Sequence, residues 1–207
     1  VGPDGKGPFN RHNFTNIMSV QELVEYYALP FKYAVKEGGA LGTMCSYNAV
    51  EVKSPEGKST GSIPSCAFSE LQNGMMRGQW NFSGWIVSDC GAISDFLETN
   101  TCSGCHRKTS HGMESLCLPT HGICPSPGCH NEEQKSTCMA EKAYAGGTDL
   151  ACGVIGDYGD ALANGTLTKL QLLESAQRVL RTLFSLGLVN PKAELPFKNL
   201  GSEDIAS

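Results

Sequence analysis

Residues 84–92, Gly-Trp-Ile-Val-Ser-Asp-Cys-Gly-Ala, constrain the fold of this 207-residue chain more than any other segment. Ile86 and Val87 are apolar and β-branched, and the carboxylate of Asp89 follows at once, then a thiol and a glycine. A short, continuously apolar strand suits a sheet buried on both faces. Parallel α/β folds present their chemistry at the C-terminal ends of such strands, where Asp89 falls. The same position also suits a helix N-cap, which is the commoner use of an aspartate there.

The rest of the chain supplies the context. Residues up to Met18 are rich in Gly, Pro and Asn and read as loop. Ser19 with Glu22 three residues on forms a capping box, and the helix it starts runs to about Lys36, kinked near Pro30 and ended by Gly38-Gly39. Leu41 to Tyr47 reads as a strand, Glu51 to Ser62 as a surface loop, Ser65 to Arg77 as a second helix and Trp85 to Ser88 as the next strand, with a short helix over Ile93 to Leu97. Residues 100–137, with Cys138 at their end, hold six cysteines, four histidines and three prolines without apolar periodicity, so they read as a Cys-rich loop insertion. Glu132 to Ala145 is helical, residues 148–151 are strand-like, and Leu167 to Leu186 carries Leu170, Leu173, Ala176, Val179, Leu180 and Leu183 at helical spacing.

Alternating helices and strands imply α/β architecture, a parallel sheet with helical crossovers. Three strands are too few for a closed (β/α)8 barrel, which takes eight and about 250 residues. The expected fold is therefore a partial (β/α)8 TIM-like barrel, about three β/α units, or a small open α/β domain.

Composition narrows the function classes. The net charge of −5 and the lack of a Lys/Arg cluster argue against nucleic acid, and no apolar stretch approaches the roughly 18 residues of a membrane helix. The first residues lack the apolar core of a signal peptide, which does not exclude secretion. Ten cysteines and three sequons, at Asn13, Asn81 and Asn164, favour an extracellular protein or one of the secretory pathway.

Several ordered motifs go further. Residues 44–50 (Met-Cys-Ser-Tyr-Asn-Ala-Val), 63–67 (Ile-Pro-Ser-Cys-Ala), 76–84 (Met-Arg-Gly-Gln-Trp-Asn-Phe-Ser-Gly) and 87–92 (Val-Ser-Asp-Cys-Gly-Ala) resemble, in order, the family 3 glycoside hydrolases, the β-glucosidases and β-xylosidases. Residues 145–153 look like that family's last barrel strand, Arg178 to Leu188 like its final barrel helix, and Arg11-His12-Asn13-Phe14 like the segment after its fifth strand. The resemblance covers most of residues 9–190. It implies residues 1–190 as the C-terminal half of a barrel domain, and residues 191–207 as a linker towards a missing second domain. It also implies a retaining, exo-acting β-glycosidase with Asp89 as nucleophile, Tyr47, Arg77, Arg11 and His12 as substrate-binding residues, and neither metal nor organic cofactor. Cys90 after the aspartate looks more like the β-xylosidase branch. Arg77 also suits a helix end, where it would complement the dipole, and Asp149 reads as a structural residue beside Gly146-Gly147.

Three departures from the family bear on activity. Its Lys-His sugar-binding pair is absent, the acid/base carboxylate belongs to a following domain, and Glu51-Val52-Lys53 stands where Asn-Gly is usual. Without a general acid these residues are expected to be inactive alone. The expected partners are a carbohydrate substrate and either the remainder of the same enzyme or a second chain that completes the barrel. The rival reading is a non-catalytic truncated barrel, a structural or protein-interaction subunit. Cys102, Cys105, Cys117, Cys124, Cys129 and Cys138 admit three disulfides or, with His106 and His130, a zinc site. The other four cysteines suggest the pairs Cys45–Cys66 and Cys90–Cys152, the latter joining adjacent strand ends.

Overall fold

The computed structural model of the protein describes residues 11–12, 14–97, 132–153, 158–163, 165, 167–189 and 199–201. Among the described residues there are five strands: β1 (Thr15–Ser19), β2 (Gly42–Cys45), β3 (Ala49–Lys53), β4 (Ile63–Pro64) and β5 (Trp85–Ser88). The α-helices are α1 (Leu29–Lys36), α2 (Glu132–Gly146), α3 (Tyr158–Ala163) and α4 (Lys169–Ser185).

β2 and β5 pair in parallel, Gly42 opposite Trp85 and Cys45 opposite Ser88. Residues 148–151 extend this sheet through one parallel bridge, Leu150 to Val87, with Asp149 N and Leu150 N donating to Ile86 O at 2.8 and 3.0 Å. The expected α/β alternation with parallel pairing is therefore present. Ile86 and Ser88, on one face of β5, are fully buried, and α4 lies against the strand. The other face is open: Met44, opposite Val87 in the register, is 55% exposed, and Leu150 lies beyond it, also exposed.

Two stretches read as loop are instead a second sheet, ordered β1-β3-β4, with β1 parallel to β3 from Thr15↔Ala49 to Ser19↔Lys53 and β4 antiparallel to β3. Glu51-Val52-Lys53 thus becomes a strand, in which Val50 and Val52 are buried while Lys53 faces water. The pairing partners are 34 positions apart, and such a ladder leaves little local trace in a sequence.

The helices follow their end signals. Ser19 caps the first helical turn through the expected box, Ser19 Oγ accepting from Glu22 N at 3.1 Å and Glu22 Oε2 from Ser19 N at 2.8 Å. Thr168 and Gln171 repeat the device at α4. Pro30 has no N–H and its ring crowds the carbonyl four residues back. The preceding turn, Leu23–Tyr27, widens to π geometry, closed by Ala28 N to Leu23 O at 2.7 Å. The second expected helix starts at Ser65 as read, but as a 3₁₀ turn over Ser65–Ala67 followed by a π-helix over Glu70–Gln79. Inside that opening turn the Gln72 amide, buried, donates to Ser65 O at 2.8 Å. α2 ends at Gly146, where a Cβ would stand 2.6 Å from the Ala67 backbone, so only glycine allows the helix so close, and Gly147 at φ +110° turns the chain away.

Both expected disulfides, Cys45–Cys66 and Cys90–Cys152, are formed. The six insertion cysteines, His106 and His130, the sequons at Asn13 and Asn164 and most of the 191–207 segment lie outside the described residues or side chains. Among the described residues no helix is long and apolar enough to cross a membrane.

Candidate active site

Asp89 leaves the C-terminal end of β5 with its N–H still bonded to Cys45 O at 2.9 Å, so the neighbouring strand fixes its backbone. Its Oδ1 accepts from Cys90 N at 2.7 Å. It caps no helix: the next helical turn, a 3₁₀ stretch over Ser94–Leu97, begins five residues on. Gly91, at φ +89°, reverses the chain between them, and Gly91 N and Cys152 N donate to Cys152 O and Ser88 Oγ at 2.8 and 3.0 Å. With the Cys90–Cys152 bridge, these bonds tie the turn that carries the carboxylate to the segment after residue 150.

Tyr47 comes from the end of β2, the strand beside β5, and its hydroxyl donates to Cys90 O at 2.9 Å. Its phenol is raised above the ordinary tyrosine value, first by desolvation and then by the Asp89 carboxylate, with a smaller push from Asp95 and an opposing pull from Arg11. The tyrosine lies beside the carboxylate in its protonated, hydrogen-bond-donating form. Because the folded phenol holds its proton above the unfolded value of 10.0, the linked stability is present below that pH and is lost as pH rises past it. Burial also raises the Tyr144 phenol, so a spectrophotometric tyrosine titration should show high-pH phenols of which one is missing in Tyr47→Phe; an unchanged titration curve would contradict this placement.

Arg11 and His12 converge on the same tyrosine. The His12 ring lies 4.1 Å from the Tyr47 ring at a 52° tilt, and the Arg11 guanidinium carbon stands 5.1 Å over the Tyr47 ring centre. His12 Nδ1 is 2.7 Å from Asp95 Oδ2, and Arg11 Nε donates to His12 Nε2 at 3.3 Å. The structure thus brings Asp89, Tyr47, Arg11 and His12 together, with Asp95 as a further member. Sequence reading missed Asp95. Its only local signal was an acid six residues past Asp89, and its partner lies 83 positions away.

Arg77 stands apart. Its guanidinium donates to Gly84 O at 2.9 Å, Gly147 O at 3.0 Å and Asp149 Oδ2 at 2.6 Å. Gly84 precedes β5 and Asp89 follows it, roughly 16 Å of strand away at about 3.3 Å per residue. Asp149, its side chain wholly buried, also accepts from Arg178 at 2.7 Å, Ser175 Oγ at 3.0 Å and Ile86 N at 2.8 Å. That arrangement agrees with the structural reading of Asp149 and engages Arg77 in the scaffold.

A cavity of about 250 Å³ lies among Met18, Tyr27, Phe31, Met44, Gln72 and Trp80, and among the described residues neither a carboxylate nor an imidazole borders it. The chemistry-bearing side chains gather instead at the strand ends.

No family model matches the chain. It is 28% identical over 202 residues, 95% of its length, to "Probable exo-1,4-beta-xylosidase bxlB" of Aspergillus terreus. It is 30% identical over 207 residues, 99% of its length, to "Beta-xylosidase/alpha-L-arabinofuranosidase 2" of Medicago sativa subsp. varia. Each alignment covers 21% of the relative, so the chain spans about a fifth of the curated relatives it matches. Among solved structures, it superposes on a GH3 exo-β-xylosidase in complex with a xylobiose aziridine probe with a TM-score of 0.65 at 22% identity, over 92% of this chain and 20% of that one. A β-glucosidase from Listeria innocua gives 0.60 at 22% identity, over 93% and 21%. These superpositions show a shared fold.

Proposed function

From a chain whose homologues are family 3 glycoside hydrolases, we propose a retaining exo-β-glycosidase acting on terminal β-linked sugars, of which these residues carry the nucleophile half of the active site. The observation that supports this best is the position of Asp89 at the C-terminal end of a parallel strand, with Tyr47 beside it and Arg11 and His12 against the Tyr47 ring.

The chemistry follows from those groups. The Asp89 carboxylate attacks the anomeric carbon as the glycosidic bond breaks and positive charge builds on the ring oxygen. A covalent glycosyl ester forms, and a water molecule then displaces Asp89 with overall retention. A second carboxyl group, about 5–5.5 Å from the first in retaining enzymes, protonates the leaving oxygen. It is assigned to the polypeptide beyond these residues. Cys90 N holds one Asp89 oxygen, orienting the other for attack, and Tyr47 is placed to donate to a sugar hydroxyl or to the carboxylate. The reaction changes no oxidation state and needs no metal.

The open face through Met44, Val87 and Leu150 supports the partial-barrel reading, in which further strands of the same polypeptide or of a second chain cover these side chains. The same reading places Arg11, His12 and Tyr47 among the substrate contacts and Arg77 in the scaffold that holds β5. Disulfides and relatives of fungal and plant origin support an extracellular or secretory location. The stereochemistry of hydrolysis tests the proposal. Proton NMR of the full polypeptide acting on an aryl β-xyloside or β-glucoside should show the β anomer of the released sugar first; immediate appearance of the α anomer would refute a nucleophilic Asp89.

A further inference from the structure

We infer that His12 and Asp95 form a positioning pair that holds Tyr47 across the front of Asp89, and so sets the geometry in which the nucleophile meets the sugar; the inference rests on the glycosidase reading. Three segments far apart in sequence meet here: the turn before β1, the end of β2 and the 3₁₀ stretch after the Asp89 turn.

Asp95 is 9% exposed, and a carboxylate so placed needs hydrogen bonds or a cationic partner. His12 Nδ1 at 2.7 Å supplies one. A carboxylate on Nδ1 makes that nitrogen the N–H end of the ring and leaves Nε2 as the acceptor of the neutral tautomer. Arg11 Nε, donating to Nε2 at 3.3 Å, fits that assignment. The imidazole is thereby held from both sides, and its tilted face meets the Tyr47 ring at 4.1 Å.

Tyr47 is then fixed at two points, its ring by His12 and Arg11 and its hydroxyl by Cys90 O, next to Asp89. Releasing His12 removes one side of that hold and lets the ring shift about its bond to Cys90 O, with Arg11 and the adjoining core still against it. The charges near the phenol are Asp89, Asp95 and Arg11, so its proton affinity reports on Asp95 directly. The alternative is that the pair only staples the turn before β1 to the 3₁₀ stretch, with no consequence for Asp89.

The test uses Asp95→Asn and His12→Asn in the full polypeptide. Asparagine keeps an N–H donor near the Nδ1 position but has no ring. Tyrosine ring carbons are labelled, and the Tyr47 signal is assigned by its loss in Tyr47→Phe. The expected result has two parts. Asp95→Asn moves the Tyr47 titration midpoint downward and lowers kcat on an aryl β-glycoside by about ten- to a hundredfold with a much smaller change in KM. His12→Asn lowers kcat by a similar factor with a rise in KM from the lost sugar contact, and thermal unfolding confirms that both fold. If the unfolding temperature falls but kcat and the Tyr47 midpoint hold, the pair is a staple and the inference is overturned. A moved midpoint with unchanged kcat overturns the positioning role while leaving the glycosidase reading intact. A wild-type polypeptide without glycosidase activity overturns that reading, and the titration then decides by itself whether the pair holds Tyr47.

Discussion

Asp89→Gly in the full polypeptide should lower kcat by about 10⁴-fold or more while leaving the unfolding transition close to that of the wild type. The size of the effect follows from the role: without a nucleophile the covalent route is closed, and the binding groups that remain give only residual rate enhancement. The small effect on stability follows from the structure. The Asp89 side chain accepts from the adjacent Cys90 N and is held by no ion pair among the described residues, and the backbone bond to Cys45 O survives the substitution. Azide added to Asp89→Gly should occupy the vacated space, attack the anomeric carbon and yield the α-glycosyl azide. Kinetics on an activated aryl glycoside and NMR of the product check both halves. A variant that keeps full kcat would remove Asp89 from the reaction.

The second large effect concerns stability. Asp149→Asn should destabilise the fold by about 3–5 kcal/mol, the usual cost of leaving a buried charge without its partner. Asp149 accepts four hydrogen bonds, two from arginines whose side chains are only 13% and 28% exposed. Burial already pulls the Arg77 guanidinium below its ordinary value, with Arg178 adding to the pull and Asp149 opposing it. Removing Asp149 sets two partly buried cations against each other and leaves Ile86 N, at the start of β5, with a poorer acceptor. Domains of this size are stable by about 5–15 kcal/mol, so the loss is a large fraction of the total. Urea denaturation measures it. Replacing all three charges, as Arg77→Met, Asp149→Leu and Arg178→Leu together, should cost less than Asp149→Asn alone, because no orphaned charge remains. A single variant as stable as the wild type would contradict this account of the network.

What could be read from the sequence was local or carried by ordered motifs. The capping box at Ser19, the helical spacing from Leu170 to Leu183 and the run Ile86-Val87 each encode their element within a few residues, and each element formed. The pairing of Cys90 with Cys152 followed from placing both at adjacent strand ends, and the structure has it. The sheet of β1, β3 and β4 was lost because TNIMS and AVEVK resemble loops until they pair with each other. The π turns were hidden for another reason: apolar spacing records which face is buried, not how many residues each hydrogen bond spans. In the site, Asp89 and Tyr47 sit in recognisable motifs. Asp95 does not, and only the fold brings it to His12.

The central claim is that Asp89 forms a bond to the sugar. Incubating the full polypeptide with a 2-deoxy-2-fluoro β-glycoside bearing an activated leaving group slows hydrolysis of the glycosyl ester so that it accumulates. Peptide mass mapping should then find one sugar attached to Asp89, with labelling and loss of activity rising together. Labelling confined to another carboxylate, or inactivation with Asp89 unmodified, would contradict the account.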